Sequence, residues 1–365
     1  VKRLLLPLPG TKEEKDISDY FKAGNTREDF LKLFIEFLDN LYSDTLIMLK
    51  SCVIDFNNPP AKAQEIISAG DVPLGTQGNL FGITGGEGTG KSNYVAAIVA
   101  GCICPAGAEV DTLGIQITAN GRHKAVLLYD TEQSEVQLFK NVSNLLARAK
   151  QPDKPDELKA FCLTGMSRKE RLNAIVQSMD KFYYQYGGIQ LVVIDGIADL
   201  VKSANDEAES VAVIDELYRL AGIYNTCILC VLHFVPNGLK LRGHLGSELQ
   251  RKAATILSIE KDDEPAQSVV KALKVRDGSP LDVPLMLFAW DKEAGMHVYK
   301  GEKPREEKEK RKERELVNVA HDIFGRQTRI TYIDLCEQLQ QVLDIKERTA
   351  KSYIRFMRER DIITK

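Results

Sequence analysis

One glycine-rich segment, "ITGGEGTGKSN" from Ile83 to Asn93, constrains this chain more than any other. It follows the apolar run "NLFGIT" and precedes "SNYVAAIVA", so the chain must pass from a strand through a tight loop into a helix. Gly85, Gly90, Lys91 and Ser92 hold the fixed positions of G-x-x-x-x-G-K-[ST]. The loop Gly85, Gly86, Glu87, Gly88, Thr89, Gly90, Lys91, Ser92 and Asn93 is therefore expected to curl backbone N–H groups around phosphates at a helix N-terminus, where the dipole favours negative charge. Lys91 would reach the β and γ phosphates and Ser92 would ligate Mg²⁺, making ATP with Mg²⁺ the expected ligand pair. The competing reading, a glycine turn followed by an incidental lysine, leaves the flanking strand and helix unexplained.

From about residue 68 to 300, short apolar runs alternate with helical stretches. The runs "NLFGIT", "AVLLYD", "LVVID" and "CILCVLHF" are separated by "KSNYVAAIVAGCI", "EVQLFKNVSNLLARA" with "RKERLNAIVQSMDKFYYQ", and "AESVAVIDELYRLAGIY". Strands separated by helices predict parallel strands with helical crossovers. "TILSIE", "SVVKALKV" and "PLMLFAWD" follow with short turns, as an antiparallel meander would. The expected fold is α/β, a parallel sheet extended by antiparallel strands. Cys227 and Cys230 lie inside one of the apolar runs and read as buried strand residues, since no second ligand pair stands at zinc spacing.

A phosphate-bound Mg²⁺ also calls for an acid at the end of an apolar strand, and "IQLVVIDG" places Asp195 there. Hydrolysis needs a carboxylate to orient or deprotonate water. Many ATPases put a Glu directly after the strand acid, but Gly196 stands at that position. The other place is the tip of "AVLLYDTEQSE", which offers Glu132, with Asp130 as rival. A helix-capping turn followed by a first-turn Glu would produce the same residues.

"LLYDTEQS" after a phosphate loop, then "VVIDG", then "CVLHF", resembles the RecA-like ATPase core, and is similar in particular to hexameric helicases of the RepA and DnaB type. That resemblance implies a catalytic Glu on the second core strand, here Glu132, and a polar sensor ending the fourth, here His233. It also implies a K-x-R pair reaching a neighbouring subunit's ATP, here Lys274 and Arg276 of "ALKVRDGSP", with Arg251 as the fallback. A guanidinium from another chain would neutralise charge on the transferring phosphoryl group. The competing reading makes the pair a charged decoration of an edge strand. "VPNGLKLRGHLGSELQRKA" falls where RecA-like proteins face a central channel, so Lys240, Arg242 and His244 are expected to track a DNA backbone without reading bases. Expected partners are single-stranded DNA and further copies of the chain in a hexameric ring.

The flanks fit the same picture. "LPLPGTKEEKDISDYFKAG" resembles the closing segment of Toprim primase domains, which implies a primase or an upstream primase domain as a partner; no acidic metal motif precedes it, so primase activity is not claimed. The terminal "RITYIDLCEQLQQVLDIKERTAKSYIRFMRERDIITK" resembles a winged helix-turn-helix, read as three helices and a short strand "DIITK". Its recognition helix would turn Lys351, Arg355 and Arg358 outward, toward DNA or protein, and pack Ala350, Ile354 and Met357 inward. Expected boundaries are 1–60 for an N-terminal helical and linker region, 61–300 for the ATPase domain, 301–315 for a charged linker and 316–365 for the winged helix. A first residue Val1 suggests a piece of something longer. Net charge is −3, so any nucleic-acid surface must be local. No apolar run approaches membrane-spanning length, and the seven scattered cysteines, several in strand-like apolar runs, fit a reducing cytoplasm. A recombinase-like filament or a DNA-bound switch remains open as the alternative to a motor. A guanine-specific site is disfavoured because N-K-x-D is absent.

Overall fold

The computed structural model describes residues 16–50, 52–233, 243–262, 266–304, 308–325, 329–343 and 345–364, with Leu6 and Glu264. Contacts divide the chain into two compact units, Val1–Lys62 and Ala63–Lys365. The first holds α1 (Ile17–Lys22) and α2 (Arg27–Lys50). A reciprocal capping box starts α1: the Asp16 carboxylate accepts from Asp19 N–H at 3.0 Å while Asp19 returns the bond at 3.3 Å. Tyr20, Phe21 and Phe30 then close the corner with ring centroids 5.9–6.0 Å apart. The apolar spacing from Phe30 to Leu41 is helical, and the helix continues to Lys50. Residues 7–15 of the Toprim-like segment lie outside the described residues.

The second unit opens with β1 (Glu65–Ala69), β2 (Val72–Thr76) and β3 (Leu80–Gly85), followed by α3 (Lys91–Ile103), β4 (Gln116–Ile117), β5 (Ala125–Asp130), α4 (Glu135–Arg148), β6 (Leu158–Cys162), α5 (Arg168–Tyr186) and β7 (Ile189–Asp195). Then come α6 (Glu207–Ile223), β8 (Cys227–His233), α7 (Gly243–Lys252), β9 (Thr255–Lys261), β10 (Gln267–Val275), β11 (Leu285–Asp291) and β12 (Met296–Lys303). Nine strands form one sheet in the order β12-β11-β10-β9-β3-β8-β7-β5-β6. From β9 to β6 every pair is parallel, and β9 to β12 form an antiparallel meander. This is the expected α/β arrangement, a parallel sheet extended by antiparallel strands. β1, β2 and β4 make a separate three-stranded sheet.

The central strands are buried on both faces, which is why they read as continuous apolar runs. One face packs α3, α4 and the small sheet around Tyr94, Ile98 and Phe288. The other packs α5, α6 and α7 around Ile175, Leu217 and Leu249. Cys227 and Cys230 are both buried on β8 but belong to opposite faces, so they cannot grip one ion together. Among the described residues no helix is long and apolar enough to cross a membrane.

After β12 come α8 (Lys308–Phe324), α9 (Tyr332–Leu343) and α10 (Glu347–Glu359), which bury Leu316, Leu335, Leu339, Ala350, Ile354 and Met357. Among the described residues 361–364 the strand expected over "DIITK" is not formed. Asp361 takes a left-handed φ of 54°, and Ile362 N–H returns to Met357 O at 2.9 Å. The chain folds back onto α10 and buries Ile363 against the helices. A side chain that completes a helical core leaves no extended edge for a ladder.

Candidate phosphate-cleft site

The loop expected to hold phosphates runs from Gly85, the last residue of β3, to Lys91, the first of α3. Gly90 at the helix N-cap has φ 94°, and a Cβ there would meet the Phe288 ring at 2.8 Å. Both the backbone and the space require glycine at this position. Thr89 Oγ1 donates to Gly86 O at 3.0 Å and braces the loop from inside. Glu87 and Gly88 stand exposed at the tip, Ser92 is exposed and Asn93 half-buried.

Sheet register carries the remaining groups to the same edge. Gly85 pairs with His233 across β3 and β8, Asp195 pairs with Val231, and Asp130 pairs with Asp195. Lys91 Nζ donates to Gly85 O (3.1 Å), Gly86 O (2.7 Å) and His233 Nδ1 (3.2 Å). With Nδ1 accepting, the proton of a neutral His233 ring sits on Nε2, which donates to Glu132 Oε2 at 3.3 Å. Lysine, histidine and glutamate thus form one relay across residues 91, 233 and 132.

The turn after β5 separates the two rival acids. Asp130 is 2% exposed, and its Oδ1 accepts from Glu132 N–H (3.0 Å) and Gln133 N–H (2.7 Å). Thr131 Oγ1 donates to Asp195 O (3.0 Å) and Gly196 O (2.8 Å), tying β5 to β7. Asp130 therefore builds the turn, and the half-exposed Glu132 carboxylate projects from it. Gly196, at φ 95°, lies so close to Thr131 and Glu132 that a Cβ would collide with both. The glycine that displaced the usual glutamate position is what lets Glu132 lie there.

Charge is concentrated in this cleft. Burial pushes the Asp195 carboxyl up to about 7, reinforced by Asp130 and Glu132 and opposed by Lys91 and His233. Burial likewise raises Asp130. Lys91 is held below the ordinary lysine range by burial, while Asp195, Glu132 and Glu87 pull it back up. A cleft of about 320 Å³ joins Lys91, Ser92, Glu132, Asp195, His233 and His297. Ser92 and Asp195 give the hard oxygen donors that suit Mg²⁺, amid carboxylates whose mutual repulsion a dication would offset.

The remaining expected residues are placed elsewhere. β10 lies between β9 and β11, but its ladder with β11 ends at Val270, so Lys274 is paired on the β9 side alone. A bulge between Ala272 and Lys274 turns the lysine toward α7. There Lys274 Nζ donates to Gln250 O (2.6 Å) and Arg251 O (3.1 Å), and Arg276 Nη2 donates to Lys252 O (3.1 Å). Both cations cap the carbonyl end of α7, at the level of Thr255 and Phe81. That is the sheet edge opposite Gly85. Arg251 pairs with Glu248 on its own helix at 2.6 Å.

Lys240 and Arg242 lie outside the described residues, and His244 is exposed in the first turn of α7. On α10, Lys351 pairs with Glu347 (2.6 Å) and Arg355 with Glu359 (2.8 Å), while Arg358 lies over the Tyr332 ring at 5.4 Å. Sequence reasoning missed Gln133 and His297 as cleft residues. The available signal for His297 was its place opposite the lone tryptophan in "LFAWDKEAGMHVY".

No curated protein sequence matches the chain. A solved structure described as an ATPase domain is similar with a TM-score of 0.42 and 15% identity, over 61% of this chain and 85% of that one. The family model AAA_25, described as an AAA domain, matches residues 42–237. That span covers more than half of the 365 residues and includes the phosphate loop, Glu132, Asp195 and His233, so the chain belongs to the AAA_25 family.

Proposed function

We propose that the chain is an ATP-hydrolysing motor subunit of the RepA/DnaB helicase type, acting on single-stranded DNA as a ring. The observation that carries the reading is the Lys91–His233–Glu132 relay beside the phosphate loop. Glu132 takes the role of general base, orienting and deprotonating the attacking water. His233 bridges that base to the lysine that feels the γ phosphate, so loss of the phosphate is felt at the end of β8. Ser92 and Asp195 would hold Mg²⁺, whose chemistry when bound is to neutralise charge between the β and γ oxygens.

Lys274 and Arg276 support assembly, because on the opposite sheet edge they cannot serve the cleft of their own chain. In a head-to-tail ring that edge faces a neighbour's nucleotide, and a cation there couples turnover to subunit contact. Lys240, Arg242 and His244 would supply the DNA-tracking contacts, and the terminal helices form a helix-turn-helix-type module.

ATPase rate with and without single-stranded DNA, together with solution mass in a non-hydrolysable ATP analogue, tests the reading. DNA-stimulated turnover by a closed hexameric ring is the expected result. A DNA-insensitive monomer would overturn the motor and leave the regulatory switch.

A further inference from the structure

Beside the phosphate cleft runs a row of aromatic rings that the phosphate chemistry does not use, and one of them, His297, lines it. On β11, Phe288 and Trp290 share a face. Phe288 lies beneath Gly90 of the phosphate loop, and its ring centroid is 5.7 Å from His297 on β12. Trp290 and His297 are direct cross-strand partners, with centroids 5.5 Å apart and planes at 78°. β11 runs parallel to β3 because two antiparallel steps separate it from β9. Its C-terminal end therefore points the same way as the phosphate loop, and Trp290 lies beyond the level of Gly85.

Phe288 is fully buried, His297 lines the cleft and Trp290 is 54% exposed. The row leads outward from under the phosphate loop to an open indole. The indole meets His297 on one side and leaves about half its surface open beside the phosphate site, where an aromatic face can take a ligand. His297 adds a second unexplained feature: its Nδ1 is buried and has no hydrogen-bond partner among the described residues.

We propose that Trp290, held upright by His297, is the stacking platform for the base of the bound nucleotide. The inference rests on the reading of the loop as a triphosphate site and extends it to the other end of the ligand. Stacking on an indole face tolerates any base but grows with ring area, so purine nucleotides are taken in preference to pyrimidine ones, and adenine and guanine are barely separated. His297 is a positioning residue: its ring meets the indole edge to face and fixes its tilt, and its buried surroundings, with Arg148 and Lys261 nearby, keep it neutral.

Trp290 is the chain's only tryptophan, so intrinsic tryptophan fluorescence reports this position alone. The full chain is titrated with ATP, GTP, CTP and inorganic tripolyphosphate, following both fluorescence and binding heat. ATP and GTP should bind with similar affinity and quench the emission, CTP should bind several-fold more weakly, and tripolyphosphate should bind without quenching. Trp290→Ala should weaken ATP roughly tenfold while leaving tripolyphosphate affinity unchanged, and Trp290→Phe should recover most of the loss. Equal ATP affinity in wild type and Trp290→Ala would overturn the platform while leaving the phosphate site intact. Failure of tripolyphosphate and ATP alike to bind the wild-type chain would overturn both readings.

Discussion

Replacing Asp195 by Asn should stabilise the chain in the absence of metal, and only at high pH. Unfolded, this carboxyl ionises near 3.8; folded, it keeps its proton up to about 7, because it is 8% exposed and faces Asp130 and Glu132. Across that window the folded chain binds the extra proton, so the contribution of Asp195 to stability is full below 3.8, declines as pH rises, and is gone once pH has passed the folded value of about 7. The displacement corresponds to about 4 kcal/mol at full ionisation. An amide avoids the buried charge but gives back roughly 2 kcal/mol by burying polar atoms without designed partners. The expected net gain of about 2 kcal/mol should raise the melting temperature by roughly 4–8 °C, taking 2–4 °C per kcal/mol for a large domain. Thermal melts of Asp195→Asn and wild type in EDTA, without nucleotide, at pH 5 and pH 8 measure it. The gain should appear at pH 8 and nearly vanish at pH 5, where only roughly 2 kcal/mol of the linkage loss has developed and the amide's own cost offsets it. An equal shift at both values, or a loss at pH 8, would refute the placement of a strained carboxylate at this strand end.

Glu132→Gln should reduce ATP turnover by at least about a hundredfold while sparing ATP affinity, read by steady-state rate and calorimetry. Normal turnover would remove Glu132 as the base. Gly196→Ala should keep the fold at a cost of roughly 1–2 kcal/mol for its left-handed backbone, yet displace Glu132 and lower turnover at least tenfold with ATP binding retained; a well-folded variant at full rate would contradict the packing argument. Arg276→Ala should abolish turnover alone and recover part of it when mixed with Lys91→Ala chains, since each chain then supplies what the other lacks. No recovery at any mixing ratio would count against a cation acting between subunits.

How much of this was legible in sequence depended on burial and on chain separation. β5 and β7 are buried at every residue, and α3 joins them beneath the loop, so their apolar runs announced them. β6 escaped because "LKAFC" is a half-buried edge strand, and the stretch containing it read as one long crossover from α4 to α5. β12 was lost for a similar reason: "MHVYKGEK" is half-exposed and polar along its length. β1, β2 and β4 are short, and pair only with each other. The phosphate loop needed no tertiary information, because its residues are contiguous. The relay did: Glu132 and His233 are 101 residues apart, and only resemblance to a RecA-like core suggested them together. Trp290 and His297 sit across a hairpin whose pairing could have been inferred, but nothing local linked them to a loop some two hundred residues earlier.

The β10–β11 hairpin also acts as a gauge. β10 spans nine residues, about 30 Å at roughly 3.4 Å per residue, from the phosphate-loop edge of the sheet to the Lys274–Arg276 edge, and β11 returns to bring Trp290 back beside the cleft. An antiparallel ladder cannot slide by one residue without turning its buried face outward, so this length does not stretch or slip under load. The bulge at Leu273 trims the last step, aiming the lysine after the register is already set. In a ring, the interval from one nucleotide to the next would then be laid down by a counted number of peptide units, and a two-residue insertion in β10 would keep every side chain on its proper face while putting each subunit out of step with its neighbour.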